Sequence, residues 1–239
     1  MTRNPVFCAL DTTDPQAALA LARRLHGLVG GLKLGLEFFA ANGPTGVRAV
    51  AGGGVPLFLD LKFHDIPNTV AGAIKGAVRL TPLMTTVHAS GGTEMMKAAV
   101  DAAGSEAARL SVERPRILAV TVLTSMSGDD LTATGVEGSM LDQVRRLADL
   151  AQAAGVDGVV CSPHEVEALR AQCGPDFQLV IPGIRPAWAA ANDQKRVLTP
   201  AEAMIKGADW LVIGRPITAA ADPAEAARHI EVELAEVVR

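Results

Sequence analysis

Short apolar runs alternate with longer amphipathic segments along the whole chain. Eight of these runs are almost continuously apolar, which is typical of parallel strands that are buried on both faces of a sheet. They lie at residues 6–10, 32–34, 57–61, 85–88, 117–122, 158–161, 179–181 and 211–213. The segments between them have the spacing of helices, so the pattern predicts a strand followed by a helix, repeated eight times.

Local signals predict where several of the helices begin and end. Four begin at a capping residue followed by proline, which is tolerated at the first helical position. A glutamate at position 165 or 202 completes a capping box at two of them. The four starts are Asp14-Pro15, Ser162-Pro163, Thr199-Pro200 and Asp222-Pro223. Glycines predict helix ends at Gly27, Gly104, Gly155, Gly174 and Gly207.

Eight strand–helix units in 239 residues predict an α/β fold, a closed, parallel, eight-stranded (β/α)₈ barrel. An open doubly wound sheet needs fewer strands and carries G-x-G-x-x-G after its first strand, where this chain has Asp11-Thr12-Thr13-Asp14. No linker or change of composition divides the chain, so we expect residues 1–239 to form one domain. Residues 124–141 form an elaborated loop in this interpretation, and residues 186–196 have the length of a lid.

Composition excludes several classes of partner. The chain has 22 Lys and Arg against 26 Asp and Glu, a net charge of −4, which does not favour general nucleic-acid binding. No apolar run reaches the roughly 18 residues that span a bilayer, and the first ten residues lack a secretory signal pattern. The chain has three cysteines and no C-x-x-C pair, which argues against a disulfide framework or a zinc site. We therefore expect a cytoplasmic protein that binds neither membrane nor nucleic acid.

The third predicted strand carries the strongest chemical signal. Chemistry in this type of barrel lies at the carboxyl ends of the strands. Asp60 and Lys62 alternate with Leu59 and Leu61, so the charged pair points together into the barrel mouth. With Asp65 arriving from the following loop, opposite charges would keep Lys62 protonated, as a proton donor rather than a nucleophile. A salt bridge that merely closes the barrel is the alternative interpretation.

The last two strands carry a predicted phosphate site. Gly183 and Gly214 permit close approach of the backbone, and Arg185 and Arg215 offer paired donors to an oxyanion. The loops after these two strands are the usual phosphate site of the fold. Gln194 lies in the 186–196 loop and could reach the same anion. Arginines bonded to helix carbonyls and a solvated surface loop are the alternatives.

Four further polar residues stand at predicted strand ends, namely Asp11, Lys33, His88 and Thr124. His88 is more typical of a core histidine than of a catalytic base. It could join the neighbouring carboxylates in a metal site, but the intervening Lys62 competes with a cation. We predict no metal and no cofactor.

A ten-residue segment connects this chain to a known family. Asp60-Leu61-Lys62-Phe63-His64-Asp65-Ile66-Pro67-Asn68-Thr69 closely resembles the signature of bacterial orotidine 5′-phosphate decarboxylases. The likeness continues in the same order along most of the chain, at residues 9–11, 32–35, 87–92, 119–126, 182–186 and 212–217.

This resemblance implies a cofactor-free (β/α)₈ barrel that forms homodimers. Members of the family convert orotidine 5′-phosphate to UMP and carbon dioxide, the last step of de novo UMP synthesis. Lys62 would donate the proton to C6 of the pyrimidine, and Asp60 would hold Lys62 and crowd the substrate carboxylate. Asp65, Ile66 and Thr69 would enter the site of the neighbouring subunit.

The resemblance also implies contacts to each part of the nucleotide. Asp11 and Lys33 would bind the ribose hydroxyls, and Thr124 would contact the amide edge of the pyrimidine. The phosphate would be held by Arg215, Gln194 and the N–H of Gly214, with Arg185 and Pro182 lining its loop.

Two other functions stay open on the sequence alone. A related barrel could decarboxylate a keto-sugar phosphate with a metal ion, using the same Asp-x-Lys-x-x-Asp array. A nucleotide-binding barrel could bind UMP through Arg215 and Gln194 without turnover. Sensitivity to a chelator separates the first from the decarboxylase, and a turnover assay separates the second.

Overall fold

Eight parallel strands close into a barrel in sequence order, with β1 paired to both β2 and β8. The structure is a computed structural model, and it describes residues 4–189 and 198–237. The strands are β1 (Val6–Ala9), β2 (Gly31–Gly35), β3 (Leu57–Phe63), β4 (Met84–His88), β5 (Arg116–Val120), β6 (Gly158–Val160), β7 (Gln178–Pro182) and β8 (Trp210–Ile213). All eight predicted strands are therefore confirmed, with ends that differ by at most two residues.

Helices follow the strands and surround the barrel. Within the described residues they are α1 (Pro15–Leu25), α2 (Leu36–Ala51), α3 (Pro67–Val78), α4 (Thr93–Leu110), α5 (Gly128–Ala133), α6 (Met140–Ala153), α7 (Val166–Cys173), α8 (Pro200–Ile205), α9 (Arg215–Thr218) and α10 (Pro223–Ala235). None of these helices is long and apolar enough to cross a bilayer. That residues 1–239 form a single domain stays a prediction.

The predicted helix signals hold at most positions and fail at two. Asp14, Thr199 and Asp222 each cap a helix through the side chain. The helix predicted at Ser162 is wrong, because α7 begins four residues later. The Glu165 carboxylate still accepts the Ser162 N–H at 2.7 Å, but it closes a turn rather than a helical cap.

Gly104 was predicted to end a helix and instead lies inside α4. A glycine costs a helix only about 1 kcal/mol relative to alanine. Buried residues of α4, from Met95 to Ala107, lie on both sides of Gly104, and their packing stabilises the helix across this position. The helix ends at Leu110, and the next residue, Ser111, adopts a left-handed conformation with φ of 54°.

Two layers of apolar side chains hold the barrel. The outer layer packs the strands against the helices, and the inner layer fills the barrel interior. Within the inner layer, the ring of Phe7 packs edge-on against Phe58 at 5.8 Å and Trp210 at 5.4 Å between ring centroids. The inner layer consists of Phe7, Ala9, Phe58, Met84, Leu118, Val180, Trp210 and Val212. It closes the interior below the carboxyl ends of the strands, which leaves the mouth for the site.

Strand β3 departs from regular alternation where its charged residues begin. It advances from Leu59 to Phe63 while its neighbour β4 advances only from Thr85 to Val87. Lys62, inside this bulge, has φ of 51°, a left-handed conformation that costs a non-glycine residue about 1–3 kcal/mol. Bulges of this kind re-aim side chains beside functional sites.

Candidate active site

A cavity of about 290 Å³ opens at the carboxyl ends of the strands. It is lined by polar side chains from opposite sides of the barrel and by apolar side chains such as Val120 and Val160. The predicted site residues that it brings together are Asp11, Lys33, Asp60, Lys62, Thr124, Pro182, Arg185, Gly214 and Arg215.

Four charged side chains of alternating sign run across one wall of the cavity. The Lys33 ammonium lies 3.4 Å from Asp11 and 3.7 Å from Asp60, measured between nitrogen and oxygen. The Lys62 ammonium donates a hydrogen bond to the same Asp60 oxygen at 2.8 Å. Each inner charge thus has opposite charges on both sides, which offsets part of the cost of removing it from water.

Asp60 stands at the centre of this array and is almost fully buried. Burial of its carboxyl group opposes ionisation. The ammonium groups of Lys33 and Lys62 and a hydrogen bond from Thr86 outweigh burial, so the pKa of Asp60 lies below its ordinary value. A carboxylate facing the cavity is therefore held in its charged form.

Lys62 reaches the cavity from the bulge of β3. Its side chain is 33% exposed, and its ammonium points at the open mouth beside Asp60. Its backbone N–H donates to the hydroxyl oxygen of Thr86 at 2.9 Å. The prediction that Asp60 and Lys62 share the barrel mouth is confirmed, although the backbone between them is not a regular strand.

Sequence reasoning did not single out Thr86, which contacts both charged residues. Its hydroxyl also donates to the second carboxylate oxygen of Asp60, at 2.9 Å. The sequence signal that could have found it is the alternation of side chains along a strand. This alternation places Thr86 on the same inward face of β4 as Met84 and His88. A hydroxyl at a buried inward position requires a polar partner.

The loops after β7 and β8 line another part of the cavity, and Gly214 after β8 lies next to Asp11 at the start of the charged array. Gly183 has φ of 76°, a conformation that favours glycine. Arg185 is buried, and its backbone N–H donates to the carbonyl of Leu198 at 3.1 Å. Arg215 is separated from β8 by Gly214 alone and begins α9. Gln194, predicted in the same region, lies outside the described residues.

A family model described as orotidine 5′-phosphate decarboxylase / HUMPS family matches residues 4–230. The chain belongs to this family. The resemblance drawn from the segment around Lys62 is therefore confirmed.

Members of the orotidine 5′-phosphate decarboxylase / HUMPS family align with nearly the whole chain. An orotidine 5′-phosphate decarboxylase of Paramagnetospirillum magneticum is 66% identical, over 97% of this chain and 98% of the relative. One of Rhodospirillum rubrum is 62% identical, over 98% of this chain and 95% of the relative. The crystal structure of orotidine 5′-phosphate decarboxylase from Lactobacillus acidophilus has a TM-score of 0.83 at 39% identity, covering 96% of this chain and 98% of that one.

Three predicted residues of the family signature lie outside the cavity. Asp65, Ile66 and Thr69 are exposed at and just before the start of α3. The Asp65 carboxylate accepts the backbone N–H of Ile66 at 2.6 Å. Within the described residues it forms no ion pair with Lys62, so the expectation that both carboxylates flank that ammonium is wrong for a single chain. The bulge and the turn that follows carry Asp65 outward.

His88 ends β4 and is not among the residues that line the cavity. Its ring centroid is 5.6 Å from that of His64. Burial lowers the pKa of His88, and the neighbouring His64 and Lys62 lower it further. Among residues 4–189 and 198–237, no three His, Cys, Asp or Glu side chains are grouped as metal ligands would be.

Proposed function

We propose that the cavity decarboxylates orotidine 5′-phosphate to UMP and carbon dioxide, the last step of UMP biosynthesis, with Lys62 as the proton donor. The protein is a carboxy-lyase in this assignment, as its relatives at 66% and 62% identity are by name. The observation that carries the mechanism is the Lys62 ammonium, held by Asp60 at the open mouth of the barrel.

The chemistry requires a cation beside C6 of the pyrimidine. When the bond between C6 and the carboxylate breaks, carbon dioxide leaves and the electron pair stays on C6, in an orbital that the ring carbonyls cannot delocalise. A fixed ammonium next to this developing charge stabilises the transition state. Lys62 then transfers a proton to C6, which gives UMP, and it recovers a proton from solvent.

Asp60 has two functions in this mechanism. Its hydrogen bond at 2.8 Å fixes the Lys62 ammonium. Its charge also lies where the substrate carboxylate has to fit, and the repulsion disappears when that carboxylate leaves as neutral carbon dioxide. Binding of the distant phosphate supplies the free energy that holds the two carboxylates together.

The remaining cavity residues bind the parts of the nucleotide that do not react. Asp11 and Lys33 bind the ribose hydroxyls, and Thr124 contacts the amide edge of the base. All three residues line the same cavity as Lys62. The phosphate binds to Arg215, Gln194 and the N–H of Gly214, within a loop lined by Arg185 and Pro182.

Arg215→Ala tests the phosphate site. The guanidinium offers two parallel hydrogen bonds to the phosphate, so its loss is expected to raise KM for orotidine 5′-phosphate about 100-fold. The phosphate-free nucleoside orotidine is the control substrate, and its kcat/KM should change little. An equal loss on both substrates would show that Arg215 does not act through the phosphate.

We also propose that two subunits share each site. Asp65, Ile66 and Thr69 are exposed beside the cavity, and 66% of the large apolar Ile66 is accessible in the single chain. In a symmetric dimer these residues of each subunit reach the cavity of the other. Asp65 then approaches Lys62 from the neighbouring subunit. We expect a cytoplasmic homodimer that binds neither nucleic acid nor membrane.

A turnover assay with and without EDTA tests the reaction. The near-ultraviolet absorbance of orotidine 5′-phosphate is followed after addition of the purified protein, and UMP is identified as the product. Rapid loss of absorbance at the same rate in EDTA is expected. Loss of activity in EDTA would favour a metal-dependent relative. Binding of UMP without turnover would indicate a nucleotide-binding barrel.

A further inference from the structure

Thr86 on β4 joins the two charged residues of β3 through one hydroxyl group. Its oxygen accepts the backbone N–H of Lys62 at 2.9 Å, and its proton is donated to Asp60 at 2.9 Å. The side chain is completely buried. It sits beneath the charged array rather than in the cavity lining.

The bulge of β3 explains why a side chain is needed at this point. Between Leu59 and Phe63 the regular register with β4 is lost. The N–H of Lys62 therefore pairs with the Thr86 hydroxyl in place of a backbone carbonyl of β4. A buried N–H without any partner is costly, so the hydroxyl stabilises the left-handed backbone that aims Lys62.

The hydroxyl also fixes the orientation of the Asp60 carboxylate. A threonine hydroxyl has a single proton, and donation of that proton to Asp60 leaves its lone pairs for the Lys62 N–H. One Asp60 oxygen is thereby held by Thr86, and the other faces the Lys62 ammonium at 2.8 Å. Both the carboxylate and the backbone of the proton donor depend on the same atom.

We propose that Thr86 is a positioning residue of the decarboxylation, which sets the Lys62 ammonium against C6 through Asp60 and through the backbone of Lys62. This inference rests on the function proposed above. It requires that Thr86 affects the chemical step and leaves binding of the ribose and phosphate unchanged, since those contacts lie elsewhere in the cavity.

The neighbouring Thr85 provides a matched control. It is equally buried, and its hydroxyl donates to the backbone carbonyl of Leu59 at 2.8 Å. Its side chain alternates with Thr86 and lies on the opposite face of β4, away from the cavity. Thr85→Val and Thr86→Val each remove one buried hydroxyl with little change of volume. Thr86→Val should lower Tm further, because its hydroxyl makes two hydrogen bonds where that of Thr85 makes one.

The experiment compares kcat, KM, UMP inhibition and Tm for Thr86→Val, Thr86→Ser, Thr85→Val and the unsubstituted protein. Thr86→Val is expected to lower kcat about 10- to 100-fold, the effect of one hydrogen bond to a charged group. KM and the inhibition constant of UMP should stay within about threefold. Thr86→Ser, which keeps the hydroxyl, should restore kcat to within about threefold, and Thr85→Val should leave kcat unchanged.

Three results would overturn the inference. A kcat of Thr86→Val within twofold of the unsubstituted protein would show that positioning does not need the hydroxyl. An equal loss of kcat in Thr85→Val, or failure of Thr86→Ser to restore it, would indicate a general packing effect. The unsubstituted protein separates a failure of this inference from a failure of the proposed function. If it does not turn over orotidine 5′-phosphate, both are overturned.

Discussion

Replacement of Lys62 by alanine is expected to lower kcat by at least about 10⁴-fold, because one group supplies both charge stabilisation and the proton. The barrel should stay folded. The Lys62 side chain is one third exposed, and Asp60 keeps its contacts to Lys33 and Thr86 when the ammonium is gone. Turnover of orotidine 5′-phosphate, UMP binding and thermal unfolding are measured on the same preparation.

A second lysine controls for the loss of a surface-accessible ion pair. Lys97 on α4 pairs with Glu94 at 3.2 Å, at an exposed position away from the cavity. Lys97→Ala should retain full kcat and nearly full stability. A Lys62→Ala variant that is folded and retains kcat within tenfold of the unsubstituted protein would contradict the assignment of Lys62 as proton donor.

Mixing two inactive variants is expected to restore activity if subunits share their sites. In a hybrid of Lys62→Ala and Asp65→Ala chains, one site keeps both Lys62 and the neighbour's Asp65, and the other site loses both. Random exchange makes half of the dimers hybrid, so activity should rise to about a quarter of that of the unsubstituted protein. The rate is measured before and after exchange.

The control mixture uses two residues that contact each other within the same subunit. Lys62 and Asp60 form their hydrogen bond within a single chain, so a hybrid of Lys62→Ala and Asp60→Ala has no intact site. That mixture should stay inactive after exchange. If Lys62→Ala and Asp65→Ala also stay inactive once hybrids are demonstrated by mass, Asp65 does not act across the interface.

The barrel could be predicted because its signals are local and repeated. Each strand is buried on two faces and therefore reads as a continuous apolar run, and the amphipathic helices follow at regular intervals. The site could be predicted for a related reason. The closed barrel brings all strand ends to one mouth, so charged residues at successive strand ends converge without further information.

Residues far apart in sequence also met as predicted. Asp11 and Lys33 come from different strand ends and lie 3.4 Å apart, and Arg215 lines the same cavity from β8. In this fold, a residue at the carboxyl end of a strand lies at the barrel mouth, so these residues come close together whatever their separation in sequence. The signature around Lys62 then indicated the family to which the chain belongs.

The sequence by itself thus determined the barrel, the location of the site at its mouth and the pairing of Asp60 with Lys62. The tertiary structure decided what depends on register and on neighbours in space. The bulge of β3, the place of Thr86 beneath the charges and the outward course of Asp65 all belong to this second group. The spacing of apolar residues along the chain does not reveal a register shift. Such a shift arises from the fit between two strands that only the folded barrel brings together.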